Sequence, residues 1–187
     1  PAPTPEAVYA IEVSSYQLDL TTSFAPDVAI LTNISPDHLD RHGGMGGYVA
    51  AKARLFQALG PNAIALVGVD ETESRQIADS LSSLGPRLQR VRTLEASDEP
   101  HGYVALGRTI LHAGQPVLDL TPARSLPGRH NAQNAAFAYA AARALCISHD
   151  AAVKGLMTFP GLAHRMEEVG RLGAVRFIND SKATNAD

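Results

Sequence analysis

Val28-Ala-Ile-Leu-Thr-Asn-Ile-Ser-Pro-Asp-His-Leu-Asp-Arg-His42 decides the fold. Its first part, Val28 to Thr32, is a short apolar run rich in β-branched side chains, and a cluster of Asn, Ser, Pro and Asp then breaks it. An apolar run bounded by turn formers is the pattern of a strand covered on both faces. The stretch from Asn33 to His42 carries more polar function than solvation of a connecting loop needs. A buried strand feeding a polar loop belongs to an α/β sheet, whose ligands bind beyond the carboxyl ends of parallel strands.

Working outward, Val8 to Val13 is a second run of this kind, with Glu12, Ser14, Ser15 and Gln17 gathered at its end. Downstream, the apolar positions from Tyr48 to Leu59 recur at helical spacing until Gly60-Pro61 stops them. Ala63 to Val67 then reads as another buried strand and Asp70 to Leu84 as another helix. The alternation predicts a mainly parallel sheet flanked by helices. From Arg90 to Leu120 the signal changes to short runs separated by turns, Tyr103 to Leu106, Thr109 to His112 and Pro116 to Leu120, which predict a small antiparallel extension. The alanine-rich Asn131 to Leu145 reads as a helix preceded by the loop that Gly128 ends, and Asp150 to Leu156 as a second helix. Phe159-Pro160-Gly161 is a hinge candidate before a last apolar run, Val175 to Ile178. These signals divide the chain into a central domain over 1–160 and the opening of another domain over 161–187, truncated inside a polar motif.

The chain has 187 residues, of which 45% are hydrophobic and 19% charged, the composition of an ordinary globular protein. Sixteen Lys and Arg against nineteen Asp and Glu leave a formal charge of -3, with no basic run to follow a phosphodiester backbone, so nucleic acid is not an expected partner. No stretch has the length of a membrane span and the start is unlike a signal peptide. A single cysteine, Cys146, excludes an intrachain disulfide and suits a reducing cytoplasm.

Several side chains can carry chemistry. Glu12, at the end of a predicted buried strand, needs a cation or a hydrogen-bond donor, and either an ion pair or a metal answers that need. His38 and His42 have the i, i+4 spacing of a zinc helix motif, but Pro36 before them and Gly43-Gly44 after them argue against a sustained helix. For His42 the plainer reading is a loop residue bonded to backbone. Lys52 lies among small residues that let it pack against a sheet. A buried lysine has a lowered pKa, and its neutral amine reacts with carbon dioxide to form a carbamate. Asn131 and Asn134 present two amides on the first turn of the alanine-rich helix, suited to capping or to the edge of a purine. Arg165 and Asp180 near the hinge suit a phosphate clamp and a ribose partner, or equally a surface ion pair.

Taken in order, Glu12-Val-Ser-Ser-Tyr-Gln-Leu, Thr32-Asn-Ile-Ser-Pro-Asp-His-Leu-Asp-Arg-His, Ala51-Lys-Ala-Arg-Leu-Phe, Gly128-Arg-His-Asn-Ala-Gln-Asn-Ala, Gly161-Leu-Ala-His-Arg-Met-Glu and Asn179-Asp-Ser-Lys-Ala-Thr-Asn resemble the blocks of the Mur ligase family. The first and last are similar to its D-glutamate-adding branch. The resemblance implies an ATP-dependent ligase that activates the carboxylate of UDP-N-acetylmuramoyl-L-alanine as an acyl phosphate and joins it to D-glutamate, in peptidoglycan synthesis. It implies Mg²⁺ held by Glu12, His38 and a carbamylated Lys52, with His38 and Lys52 as catalytic residues. It implies ATP contacts from Asn131, Asn134, Arg165 and Asp180, and substrate contacts from Ser14, Lys182 and Thr184. The intact enzyme is expected to be a cytoplasmic monomer. Ala163 stands where the family often has proline, which loosens the hinge without removing a functional group.

No Gly-x-x-Gly-Lys-Thr or Ser loop is present in the sequence, and in this family that phosphate-cradling loop lies upstream of the strand carrying Glu12. The isolated chain is therefore expected to have no ligase activity, to bind ATP weakly at best, and to keep Lys52 unmodified. Two other readings stay open at this point: a relative or folylpolyglutamate synthase with another acceptor, and a silent nucleotide-binding domain on the same fold.

Overall fold

The computed structural model describes residues 4, 7–93 and 102–183. The chain divides into two compact units, Pro1–Val91 and Arg92–Asp187.

The first unit is built on parallel strands β1 (Val28–Leu31), β2 (Ile64–Gly68) and β3 (Leu88–Arg92), with Val28 opposite Ile64 and Ala65 opposite Leu88. Helices α1 (Ser15–Leu20), α2 (Leu39–His42), α3 (Met45–Ala53) and α4 (Thr72–Ser80) complete it. The strand β2 reads as a continuous apolar run because both its faces are covered: Ala65, Leu66 and Val67 are fully buried. Around it pack Ala29, Leu31, Ile34, Tyr48, Phe56, Val69, Ile77 and Leu88. Ile34 is the informative member, since it lies in the loop after β1 yet belongs to the core. Burying a side chain of that size contributes about 1.5–3 kcal/mol, which anchors the loop on the sheet.

The second unit contains the antiparallel meander β4 (Tyr103–Leu106), β5 (Thr109–His112) and β6 (Gln115–Asp119), helices α5 (Gly128–Ala144) and α6 (His149–Thr158), and the hairpin β7 (Glu167–Leu172) with β8 (Val175–Asn179). Residues Ala132, Ala135, Ala136 and Ala140 of α5 are buried, so the small side chains form the face that lets this helix sit close to its neighbours. Arg108 fixes the loop leading into α5, its guanidinium donating to the carbonyls of Leu120, Ala123 and Leu126.

The α/β class, the parallel sheet flanked by helices and the antiparallel extension are those predicted, and β4 and β5 have the predicted bounds. Several details differ. Residues 8–13 form no strand: Val8, Tyr9 and Ile11 are 64%, 58% and 66% exposed, because a strand needs a neighbour to take its backbone hydrogen bonds and none pairs with them among the described residues. Parallel pairing continues through Val91, beyond the point where the hairpin signal was read. The polar sequence Leu-Gln-Arg-Val-Arg hides this strand, since Leu88 and Val91 alone of its five residues are buried. Finally, α5 begins at Gly128 and not Asn131, with Pro127 extended at the N-cap and the Asn131 amide donating back to the Pro127 carbonyl at 2.8 Å.

Candidate functional site

The polar loop after β1 is held at the carboxyl end of the parallel strands by α1 and α3. Helix α1, which was not predicted, starts at a capping box: Gln17 N donates to Ser14 Oγ at 3.2 Å, and Ser14 N donates to Gln17 Oε1 at 2.8 Å. The Ser-x-x-Gln spacing was the sequence signal for it. Its other end is closed by Arg54, which donates through Nε to Leu18 O at 2.8 Å and through Nη2 to Thr21 O at 2.7 Å, satisfying carbonyls that a helix terminus leaves open.

His38 adopts a left-handed backbone (φ 52), and α2 then occupies a single turn before Gly43 (φ 67) ends it. The predicted interruption of the helix around Gly43-Gly44 is therefore what the chain does. The His38 ring is half exposed, 3.4 Å from the Asp37 carboxylate and edge-on to Tyr16 with ring centroids 5.1 Å apart. Tyr16 also meets the His42 ring at 5.7 Å and carries the Arg41 guanidinium over its face at 5.6 Å. On its far side His42 meets Tyr48 at 5.5 Å, and Lys52 Nζ lies 5.1 Å from the Tyr48 ring centre. His38 and Lys52 are thus linked through Tyr16, His42 and Tyr48. The lysine is half-buried, and its ammonium makes a cation–π contact with Tyr48.

His42 is not a loop residue bonded to backbone. Its ring is 3% exposed, with Nε2 3.0 Å from Ser15 Oγ and Nδ1 3.5 Å from Asp19 Oδ2. A short helix packed between two others buries the ring, and a buried imidazole takes whichever polar partners are in reach. Ser15 was noted from sequence only as a polar neighbour of Glu12, and Tyr16, Tyr48 and Asp19 were not singled out, because their meeting depends on how α1 folds against α3.

Glu12 departs from expectation in its surroundings. It is exposed in a segment without regular structure, so burial does not force a cation on it. Among the described residues no group of three or more His, Cys, Asp or Glu side chains gathers to hold a metal ion. The described residues, unmodified, therefore do not form a complete metal cage by themselves.

The remaining residues lie in the second unit. Asn134 is exposed on α5, one turn along from Asn131, whose amide donates to the Pro127 carbonyl. Asp180 Oδ1 accepts from Met166 N at 2.9 Å, and Lys182 N donates to His164 O at 3.0 Å, so the chain after β8 folds back onto the segment carrying Arg165. Arg165, Asp180 and Lys182 are all exposed, and Thr184 lies outside the described residues. Tyr103, buried against His112 with ring centroids 4.3 Å apart, has its pKa pushed up to about 12, first by burial and then by Tyr139, with Arg143 opposing. A cavity of about 240 Å³ is lined by Pro26, Asp27, Pro61 and Asn62 at the amino ends of β1 and β2, away from the His38 loop in sequence and strand direction. Among the described residues no helix is long and apolar enough to cross a membrane.

A parallel α/β sheet binds its ligands beyond the carboxyl ends of its strands, and solved structures share the arrangement described above. MurF from Acinetobacter baumannii superposes with a TM-score of 0.63 at 26% identity, covering 92% of this chain and 36% of that one. A UDP-N-acetylmuramate:L-alanyl-gamma-D-glutamyl-meso-diaminopimelate ligase from Neisseria meningitides shares the fold at a TM-score of 0.55, with 21% identity over 73% of this chain and 41% of that one.

A family profile described as the Mur ligase middle domain matches residues 3–142, and the chain belongs to the Mur ligase family. Among curated relatives, the UDP-N-acetylmuramoylalanine--D-glutamate ligase of Caulobacter vibrioides is 56% identical over 97% of this chain and 39% of its own length. The enzymes of the same name from Phenylobacterium zucineum and Ruegeria pomeroyi are 53% and 48% identical, each over 97% of the chain. The chain thus spans about two fifths of the length of these relatives.

Proposed function

We propose that this chain is the catalytic middle of a UDP-N-acetylmuramoyl-L-alanine:D-glutamate ligase of the MurD type, acting in peptidoglycan synthesis in the cytoplasm, where ATP is available. The observation that carries the reading is the linkage of His38 to Lys52 through Tyr16, His42 and Tyr48, in a family whose chemistry gathers at the carboxyl ends of the strands. In this reading residues 1–160 belong to the central ATP-binding domain, and 161–187 open the amino-acid-binding domain.

The reaction has two steps that balance. A carboxylate oxygen of UDP-N-acetylmuramoyl-L-alanine attacks the γ-phosphorus of ATP and ADP leaves, giving an acyl phosphate. The amine of D-glutamate, having lost a proton, attacks the acyl carbon and phosphate leaves with the bridging oxygen. His38 and Lys52 act on the acceptor side, where the half-exposed imidazole can orient the incoming amine. Asn131, Asn134, Arg165 and Asp180 act on the nucleotide side, and Ser14, Lys182 and Thr184 contact substrate. The Ser14 hydroxyl and one Asp180 oxygen already have partners, and each retains acceptor capacity for a ligand.

Magnesium supplies charge neutralisation of the phosphates when bound. Glu12, His38 and a carbamate on Lys52 would hold it, together with phosphate and water oxygens, in keeping with its preference for oxygen. Carbamylation converts the Lys52 cation to an anion, which the unmodified side chain near Tyr48 does not provide.

The test is phosphate release by the full-length protein with ATP, Mg²⁺ and UDP-N-acetylmuramoyl-L-alanine, comparing D-glutamate with L-glutamate, L-lysine and meso-diaminopimelate. Release dependent on D-glutamate is expected. Release with another acceptor keeps the mechanism and overturns the specificity; no release with any acceptor overturns the ligase reading.

A further inference from the structure

The residue assigned to the acceptor side, His38, is poorly held by its own contacts. Its backbone is left-handed, its ring is half exposed, and it touches only its neighbour Asp37 and the edge of Tyr16 among its described ring and charge contacts. His42, one helical turn further on, is the opposite. Its ring is 3% exposed and is gripped from α1 by Ser15 Oγ at 3.0 Å and Asp19 Oδ2 at 3.5 Å. From α3, Tyr48 packs against the ring with centroids 5.5 Å apart, and the main chain closes in as well: a Cβ on Gly47 would lie 1.9 Å from the His42 carbonyl oxygen. Tyr16 covers another side at 5.7 Å while also bearing on His38.

We infer that His42 is a positioning residue for the ligase reaction, pinning the single-turn helix α2 between α1 and α3 so that His38 and Lys52 keep a fixed relation. The inference rests on the function proposed above. Both aromatic contacts of His42 lead towards assigned residues: Tyr16 to His38, and Tyr48 to Lys52, whose ammonium lies 5.1 Å from that ring. Ser15, His42 and Asp19 are ordered like a nucleophile, base and orienting acid. With Ser15 4% exposed, however, its hydroxyl has no access to a substrate, and the order serves to fix the ring. Orienting groups of this kind act through the residues they hold, and removing one typically lowers metal affinity or activity by about 10–100-fold.

The experiment uses the full-length enzyme with His42→Phe, which keeps a flat ring between Tyr16 and Tyr48 but removes both ring-nitrogen contacts. Ser15→Ala is the second variant; it removes the Nε2 partner alone and leaves the ring in place, so it decides the matter if His42→Phe does not fold. For each, kcat, the half-saturating Mg²⁺ concentration and the KM for D-glutamate and for ATP are measured. The expected result for His42→Phe is a fall in kcat of about tenfold or more, with half-saturating Mg²⁺ or the D-glutamate KM raised by a similar factor. Ser15→Ala moves the same quantities in the same direction, and the ATP KM stays within about twofold in both. A role in stability alone lowers the active fraction, reducing kcat with every half-saturating concentration unchanged, and that pattern overturns the inference, as does a pair of variants indistinguishable from the parent. A parent enzyme that turns over no acceptor instead overturns the ligase reading and the inference with it, an outcome separable from the others by its occurring before any substitution.

Discussion

The loop around His38 and the hairpin around Arg165 both carry residues assigned to the reaction, but they are held in different ways. The first is fixed by side chains: Ile34 lies in the core, His42 is buried, and Tyr16 and Tyr48 connect one assigned residue to the next. The second is held mainly at the backbone and by polar groups at its surface: Met166 N donates to Asp180, Lys182 N donates to the His164 carbonyl, and Val169, Leu172, Val175 and Phe177 are each more than half exposed. A side-chain scaffold fixes geometry before any ligand arrives, whereas exposed groups on a hairpin can be ordered by the ligand itself. Substitutions of the buried scaffold residues in the first region should therefore change rate and stability together, that of the half-exposed His38 should change rate alone, and those in the hairpin should affect binding without affecting the fold.

The largest effect separating the regions is expected from His38→Ala in the full-length enzyme, a fall in kcat of roughly 10²-fold or more with the thermal midpoint little changed, read from phosphate release and calorimetry. A near-normal rate would remove His38 from the reaction. Ile34→Ala should cost about 2–5 kcal/mol of stability in this unit, measured by urea unfolding, because it leaves a cavity where the loop meets the sheet. Gly47→Ala should cost about 1–3 kcal/mol and reduce activity as well, since its new methyl group collides with the main chain of His42. In the second unit, Tyr103 supplies a pH test. Its folded pKa, about 12, lies above the unfolded value near 10, so the folded state binds more protons in that window. Stability should fall as pH rises from about 10 to about 12, and Tyr103→Phe should flatten that fall in alkaline unfolding curves. The smallest effect is expected at the exposed pair of Glu168 and Arg171, where Arg171 holds the Glu168 carboxyl below the usual range, chiefly through their side-chain hydrogen bond. Arg171→Ala should leave the thermal midpoint at pH 7 unchanged within measurement error.

The same contrast governs what was legible in the sequence. Strands β1 and β2 could be read because burial leaves a plain apolar pattern, and the helix over Ala132 to Ala140 because alanine favours the helix. Strand β3 was missed from its start, being parallel yet mostly polar, and β7 was missed because Glu-Glu-Val-Gly-Arg-Leu shows no buried face. The run from Val8 to Ile11 misled for the opposite reason: apolar residues make a strand only when a partner takes their hydrogen bonds. His38, Lys52 and the two asparagines of α5 were found through their motifs. The importance of His42, and the part played by Tyr16 and Tyr48, was not visible, because contacts between α1, α2 and α3 depend on tertiary packing that no local spacing encodes.

The most direct test of the ligase account follows an atom. UDP-N-acetylmuramoyl-L-alanine labelled with ¹⁸O in its terminal carboxylate is turned over by the full-length enzyme with ATP, Mg²⁺ and D-glutamate, and the released phosphate is analysed by mass spectrometry. An acyl-phosphate route requires one carboxylate oxygen to depart with the phosphate, so phosphate carrying a single ¹⁸O is the predicted result. Phosphate without label, released in step with ATP consumption, would contradict the account.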